Sequence, residues 1–92
     1  MDIKVRVFGD LKSVLGKGLT LNVKEGATVR SLIHRLADKT DLKPEGLIGK
    51  YRKDGGDLAI LLNGRNIRLL GGLDTGLKDD DEVIFLPPAP GG

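Results

Sequence analysis

The sequence predicts an α+β fold in which one main helix packs on a small mixed sheet. Two alternating stretches near the start predict two strands, and an apolar stripe at helical spacing follows them. An Asn-Gly pair between apolar stretches and a last apolar run then predict three further strands. The expected order is strand, strand, helix, strand, strand, strand. The 92 residues suit a single domain with one modest core.

The first half predicts a hairpin followed by the helix. Residues 3–8, IKVRVF, alternate with the period of two that marks a half-buried strand, and LTLNV at 19–23 resumes it. Thr28 can accept hydrogen bonds from backbone amides of the next turn, so we expect the helix to begin there. His34 projects away from the apolar stripe and is expected at the surface. The stripe consists of Val29, Leu32, Ile33 and Leu36.

The 41–57 connection is long and rich in glycine and charge, so we expect a short helical turn near Pro44 within it. Asn63-Gly64 then predicts a tight hairpin, because both turn positions need positive φ. The hairpin register follows from the turn. It pairs Leu62 with Arg65, Ile60 with Ile67 and Leu58 with Leu69 on the core side, and Leu61 with Asn66 and Ala59 with Arg68 on the other side.

The segment GGLDTGLKDDD at 71–81 is expected to be a loop anchored by Leu73 and Leu77. EVIFL at 82–86 predicts the last strand, and the prolines after it end that strand. The predicted core joins the helical stripe to apolar residues of four strands. These are Ile3, Val5, Val7, Ile60, Ile67, Val83 and Phe85.

Composition excludes several classes of function. The chain has no cysteine, which excludes disulfides and thiolate chemistry, and a single histidine, which leaves no histidine metal cluster or ordinary catalytic triad. A net charge of +2 with three aromatic residues argues against nucleic-acid binding. No apolar run is long enough to span a bilayer, and the start lacks the pattern of a signal peptide. We expect a cytoplasmic protein with no membrane partner.

The last eight residues, FLPPAPGG, combine three prolines with a closing Gly-Gly pair. Prolines favour an extended chain, and glycines lack the β-carbon that would hinder passage through a narrow channel. With 14 glycines in the chain, the doublet alone is a weak signal. It gains meaning only together with the motifs before it.

Four stretches in register carry a family resemblance: VRVFGDLK, LLNGRN, LLGGLDTGLKDDDEV and FLPPAPGG. Together they resemble the MoaD/ThiS-like ubiquitin-like β-grasp family, and most closely the archaeal small modifier (SAMP/MoaD-type) proteins. The resemblance covers essentially the whole chain. It implies the strand order 2-1-5-3-4, a β-grasp domain over 1–86 and a flexible Gly-Gly tail over 87–92. One departure is Asp80, where such sequences often have glycine, so we expect a left-handed turn there.

The resemblance implies a carrier or modifier without catalytic residues, cofactor or metal of its own. An adenylating, ubiquitin-activating-type enzyme would activate the carboxyl of Gly92, with Gly91 and Pro90 threading into its channel. The product would be an isopeptide bond to target-protein lysines or a thiocarboxylate. Alternatives are a dedicated MoaD-type small subunit, whose partner is the molybdopterin synthase large subunit, and a non-covalent β-grasp interaction module. The free protein is expected to be a monomer.

The strand order of the family also predicts a partner-binding face on the side of the sheet away from the helix. An exposed apolar patch with a polar rim is what a partner can bury. The expected members are Phe8, Leu61, Arg68, Ile84 and Leu86, with Lys4 and Arg6 at the rim.

Overall fold

A computed structural model describes residues 1–7, 18–39, 43, 45, 48 and 58–86 of the chain. These residues form a five-stranded sheet and one main helix, which confirms the predicted α+β fold. The strands run in the order β2-β1-β5-β3-β4, as the family order predicts. The elements are β1 (Asp2–Val7), β2 (Gly18–Asn22), α1 (Val29–Lys39), β3 (Ala59–Leu62), β4 (Arg65–Asn66) and β5 (Glu82–Leu86).

The helix begins where its capping residue predicts. Ser31 N donates to Thr28 Oγ1 at 3.2 Å, and Thr28 N donates to Ser31 Oγ at 3.3 Å. This reciprocal pair satisfies amides that the first turn of a helix leaves without partners. The exposed position of His34 is also as predicted.

The core lies between α1 and one face of the sheet. All four residues of the helical stripe are buried, together with the seven strand residues predicted to meet them. Each such aliphatic side chain contributes about 1.5 to 3 kcal/mol on burial. The predicted core is therefore confirmed. Further buried members are Leu21, Val23, Ala27, Leu58, Leu62, Leu73 and Leu77.

The Asn63-Gly64 turn is confirmed, with φ values of 51° and 87°. Its first two pairings are also as predicted, Leu62 with Arg65 and Leu61 with Asn66. Beyond Asn66 the predicted register is wrong, because the chain leaves the sheet in a 3-10 turn over Ile67–Leu69. The pairings of Ile60 with Ile67, Ala59 with Arg68 and Leu58 with Leu69 do not form.

A side chain causes this departure from the sheet. Asn66 Oδ1 accepts a hydrogen bond from Arg68 N at 2.9 Å, and Leu70 N donates to the carbonyl of Ile67 at 2.9 Å. Asparagine side chains commonly offer the backbone such an alternative to a strand ladder. Ile67 still reaches the core, but Leu69 lies outside it.

The 71–81 segment is more ordered than the predicted loop. It contains a 3-10 turn over Gly72–Asp74, and both of its predicted anchors, Leu73 and Leu77, are buried. Backbone hydrogen bonds hold it against the start of α1: Val29 N donates to Thr75 O at 3.0 Å, and Leu77 N to Ala27 O at 2.9 Å. The segment thus packs as part of the domain.

Some predictions fall on or near residues that lie outside the described ranges. Glu45 and Ile48 are helical, and Ile48 packs against the core, in agreement with a helical turn in the 41–57 connection. Pro44 itself, Phe8 and residues 87–92 are not among the described residues. The boundary between a 1–86 domain and an 87–92 tail stays a prediction.

Asp80 occupies the left-handed conformation expected for it, with φ of 67°. Because a β-carbon is disfavoured there, we expect the free energy of unfolding of Asp80→Ala to be about 1 kcal/mol lower than that of Asp80→Gly. Both variants remove the same carboxylate, so their difference isolates the backbone conformation. Urea unfolding of the pair measures it, and an alanine variant as stable as the glycine variant contradicts the argument.

Candidate docking face and the strand that leads to the tail

β5 is the central strand of the sheet. It pairs in parallel with β1, from Lys4 with Glu82 to Val7 with Phe85, and antiparallel with β3 up to Ala59 with Leu86. The strand is therefore hydrogen-bonded along both edges and ends at Leu86. The Gly-Gly end of the sequence follows six residues later, so the last segment of the sequence continues from the central strand.

The two faces of β5 differ in burial. Val83 and Phe85 point into the core, whereas Glu82, Ile84 and Leu86 lie half-buried on the open face of the sheet. The residues that flank Ile84 on the neighbouring strands are Arg6 and Leu61. The apolar centre of the open face is thus Leu61, Ile84 and Leu86, which the structure brings together as the sequence predicts.

The other predicted members of the face are not shown to lie where the sequence predicts. Arg68 is exposed in the 3-10 turn after β4, and not opposite Ala59 as the extended register required. Asn66 pairs with Leu61 and lies half-buried beside it. Phe8 lies outside the described residues. The role of all these residues in partner binding stays a prediction.

The rim of the open face carries both signs of charge. Arg6 Nη1 lies 3.8 Å from Glu82 Oε2, with side chains 52% and 35% exposed. Lys4 is exposed and pairs across the strands with the same Glu82. Exposed ion pairs contribute at most about 1 kcal/mol to folding, so the pair of Arg6 and Glu82 adds little to stability.

Asn63, whose sequence pattern predicts only its backbone angle, also ties the hairpin to β5. Asn63 N donates to Glu82 O at 2.8 Å, Glu82 N donates to Asn63 Oδ1 at 2.9 Å, and Asn63 Nδ2 donates to Asp81 Oδ1 at 2.8 Å. The three bonds fix the tip of the β3-β4 hairpin against the start of the central strand. They hold Leu61 in place beside Ile84.

One exposed apolar feature does not follow from the sequence pattern. Leu69 is 83% exposed and Leu70 is 40% exposed, and they are the large hydrophobic residues that the described part of the chain leaves in solvent. The alternating pattern had assigned Leu69 to the core. Asn66, just ahead of Ile67 and Leu69, was the available signal, because asparagine often caps a turn.

In the described ranges, no three histidine or acidic residues come together in a way that could hold a metal ion. None of the helices in those ranges has the length and apolar character to cross a membrane.

The mixed five-stranded sheet, its strand order and the main helix α1 across one face define a ubiquitin-like β-grasp protein. The chain belongs to the ThiS family, whose model matches residues 5–92.

The relatives cover the whole chain. Small archaeal modifier protein 3 of Haloferax volcanii is 33% identical over 96 residues, covering 100% of both chains. An Archaeoglobus fulgidus protein named as a sulfur carrier is 33% identical over 92 residues, again with 100% of both covered. The solution structure of small archaeal modifier protein 1 from Methanosarcina acetivorans has a TM-score of 0.74 at 34% identity, covering 99% of this chain and 96% of that one.

Similar proteins have also been solved together with partners. The complex of subunits 1 and 2 of molybdopterin-converting factor from Helicobacter pylori contains a chain 25% identical, with a TM-score of 0.58 and 100% of both chains covered. The BexX/CysO complex of Amycolatopsis orientalis contains another, 25% identical with a TM-score of 0.70, covering 98% of this chain and 99% of that one. Binding to a partner protein is thus a property of similar chains.

Proposed function

We propose that this protein is a ubiquitin-like small modifier with sulfur-carrier capacity, and that its reactive group is the carboxyl of Gly92. The observation that carries the proposal is the position of β5. The strand that leads to the Gly-Gly pair is the central one, hydrogen-bonded to β1 and β3. A partner that binds the domain would therefore fix the position of the residue from which the tail extends. The domain supplies recognition, and the tail supplies the reacting carbon.

The carboxyl needs activation from outside. An α-carboxyl with a pKa of about 3.3 to 3.7 is ionised near neutral pH, and its carboxylate resists nucleophilic attack. An ATP-dependent activating enzyme would let a carboxylate oxygen attack the α-phosphate of ATP, with pyrophosphate leaving. The resulting acyl-adenylate has AMP as a good leaving group. ATP is abundant in the cytoplasm, where we place this reaction.

The tail is suited to reach such a site. The six residues from Pro87 to Gly92 span roughly 20 Å when extended, at about 3.3 Å per residue. Prolines reduce the entropy that the chain loses on entering a channel, and Gly91 and Gly92 leave the carbonyl open to an attacking atom. Pro90 lies just ahead of the glycine pair in the threading segment.

Two products can form from the adenylate. A lysine amine of a target protein can attack the carbonyl and displace AMP to give an isopeptide, or hydrosulfide can attack the same carbonyl and displace AMP to give a thiocarboxylate. The names of the two full-length relatives, a modifier and a sulfur carrier, support both. A dedicated small subunit of molybdopterin synthase is the second candidate, supported by likeness to a chain in the Helicobacter pylori complex of molybdopterin-converting factor.

Intact mass spectrometry tests the proposal. After incubation with ATP and its activating enzyme, the protein should gain the mass of an adenylyl group, and a sulfur donor should then replace one oxygen by sulfur. In cells, a modifier should leave its C-terminal peptide on target lysines. Because the last basic residue is Lys78, trypsin would leave Asp79 to Gly92 as that remnant. Neither product appearing would favour the non-covalent interaction module.

The open face provides a separate prediction. Leu61→Asp combined with Arg68→Glu should raise the KM for the protein as a substrate of its activating enzyme by more than about tenfold, because the partner would have to bury a new charge. The fold should persist, since Leu61 is only half-buried and Arg68 is exposed. ATP-pyrophosphate exchange measures the effect.

The control for charge is Lys39→Glu. This substitution changes the charge by the same amount as Arg68→Glu, but it lies in the last turn of α1, on the other side of the sheet. An unchanged KM in the double variant, or an equal rise in the control, would remove this face from the proposed interface.

A further inference from the structure

The two edges of the sheet differ in length and charge. In the strand order β2-β1-β5-β3-β4, the outer strands are β2 and β4. β4 has two residues, one of them Arg65, whereas β2 has five residues and its sequence GLTLN carries no charge and no proline. Short length, charge and proline are features with which proteins protect a sheet edge from pairing with another chain. The edge of β2 lacks protection of that kind.

The hydrogen bonds of the β1-β2 ladder show which backbone groups of β2 point outwards. Met1 N donates to Val23 O at 2.7 Å and Val23 N donates to Met1 O at 2.8 Å, so this pair exchanges both of its bonds. Hydrogen-bonded and non-hydrogen-bonded pairs alternate along an antiparallel ladder. Every second residue of β2 therefore turns its backbone amide and carbonyl to the outer edge. These residues are Gly18, Thr20 and Asn22.

One side chain already uses an outward group of this edge. Arg35 Nε, on α1, donates to Asn22 O at 3.3 Å. The bond is longer than the usual 2.7 to 3.2 Å, and both residues are exposed, so a better donor can displace it. Thr20 is exposed, and its outward amide and carbonyl have no partner among the described residues. The edge thus offers donors and acceptors at a two-residue spacing.

A groove lies where the end of β2 meets the exposed side of α1. Its volume is about 610 Å³, which is within the range of binding pockets in proteins. Asn22 and Val23 line it from the strand. The residues that line it from the helix are Ser31, His34, Arg35 and Asp38. Because side chains alternate along a strand, a segment paired with β2 would place every second side chain towards this groove.

We infer that the outer edge of β2 is a docking site for an extended segment of a partner protein, which adds to the sheet beside β2. A chain in strand conformation supplies carbonyls and amides at the spacing of the three outward residues. The segment would take Asn22 O from Arg35, and an acidic side chain of the segment would then pair with the released guanidinium. The site does not involve Gly92 and does not depend on the proposed function.

A second copy of this chain fits the edge less well. Two-fold pairing of β2 with itself would bring Gly18 of one copy opposite Asn22 of the other. The strand sequence GLTLN contains no acidic residue, so Arg35 would lose its backbone partner without gaining a carboxylate. The loss of that bond favours a segment of another protein, with an acidic side chain, over a second β2.

Two peptides test the role of the carboxylate. One is a blocked peptide of alternating valine and threonine with a central aspartate, and the other has asparagine in place of the aspartate. The aspartate peptide should bind the wild-type protein about tenfold more tightly, and Arg35→Gln should bind the two equally. Lys39→Gln is the control, because it makes the same charge change on α1 outside the groove and should keep the preference. NMR titration measures the four dissociation constants of the variants and the two of the wild-type protein.

A proline variant tests the backbone pairing. Thr20→Pro removes an amide that points away from β1, a position at which an edge strand tolerates proline. It should weaken binding of the aspartate peptide by at least about tenfold. Thr20→Val also loses the hydroxyl but keeps the amide, and it should bind as the wild-type protein does. Thermal unfolding shows whether both variants keep the fold.

Amide hydrogen exchange gives a readout on the wild-type protein that needs no variant. Bound peptide should slow exchange at Thr20 and Asn22, because their amides would become hydrogen-bonded. Unchanged exchange at both amides with millimolar peptide, or equal affinity of the wild-type protein for the two peptides, overturns the inference. Concentration-dependent dimerisation that Thr20→Pro abolishes would assign the edge to a second copy and also overturn it. None of these results changes the expectation for adenylation of Gly92.

Discussion

A chain lacking Gly91 and Gly92 is expected to lose ATP-dependent adenylation completely and to keep its thermal midpoint. The described core draws on residues 3–85, so the two glycines contribute no part of it. Without them the chain would present the carboxyl of Pro90, which carries a ring at the reacting end and stops two residues short of the channel. The loss should exceed that of any substitution on the surface of the domain. ATP-pyrophosphate exchange and differential scanning calorimetry measure the two quantities.

The control extends the chain in place of shortening it. One serine added after Gly92 retains both glycines but moves the carboxyl onto a residue with a side chain, and it should also abolish adenylation. A non-covalent module would tolerate either change and continue to bind its partner. Retained adenylation in the shortened chain would contradict the assignment of Gly92.

Phe85→Ala is expected to cost about 3 to 5 kcal/mol of unfolding free energy. Phe85 is fully buried, and it lies on the central strand opposite Val7 and Ile60. A domain of this size has roughly 5 to 15 kcal/mol in total, so the variant should be partly unfolded at moderate temperature. Urea unfolding followed by circular dichroism gives the difference.

Leu86→Ala is the matched comparison. Leu86 is the next residue of the same strand but lies half-buried on the open face. Its loss should cost less than about 1.5 kcal/mol in folding, because solvent already reaches the side chain. Equal destabilisation by the two variants would mean that the core does not lie on the side of the sheet where Phe85 points.

The elements that sequence reasoning placed correctly depend on local requirements. Alternation sorted the faces of β1, helical spacing gave the buried stripe of α1, and positive φ fixed the Asn63-Gly64 turn. These constraints act within a few residues, so a single sequence displays them. The shared face of Leu61, Ile84 and Leu86 followed once the strand order was taken from the family resemblance.

The residues whose predicted positions are wrong depend on competition between strand pairing and side-chain hydrogen bonds, which the alternating pattern does not show. Ile67 and Leu69 alternate as a strand would, yet the Asn66 side chain diverts the backbone into a turn. The bonds from Asn63 to Asp81 and Glu82 join residues 18 and 19 positions apart, so no local window contains both partners. Such contacts become visible only when the strands are in place.

The central position of β5 has a consequence for how the protein is made. The β1-β2 and β3-β4 hairpins each form from neighbouring segments, but in the strand order only β5 joins them. β1 and β5 are separated by most of the described chain, so we expect this long-range joining to be the slow step of folding. During synthesis the two hairpins emerge first and wait with an unpaired edge on each. An activating enzyme that recognises the complete five-stranded sheet would therefore not bind nascent chains, and would bind only chains in which β5 has paired with β1 and β3.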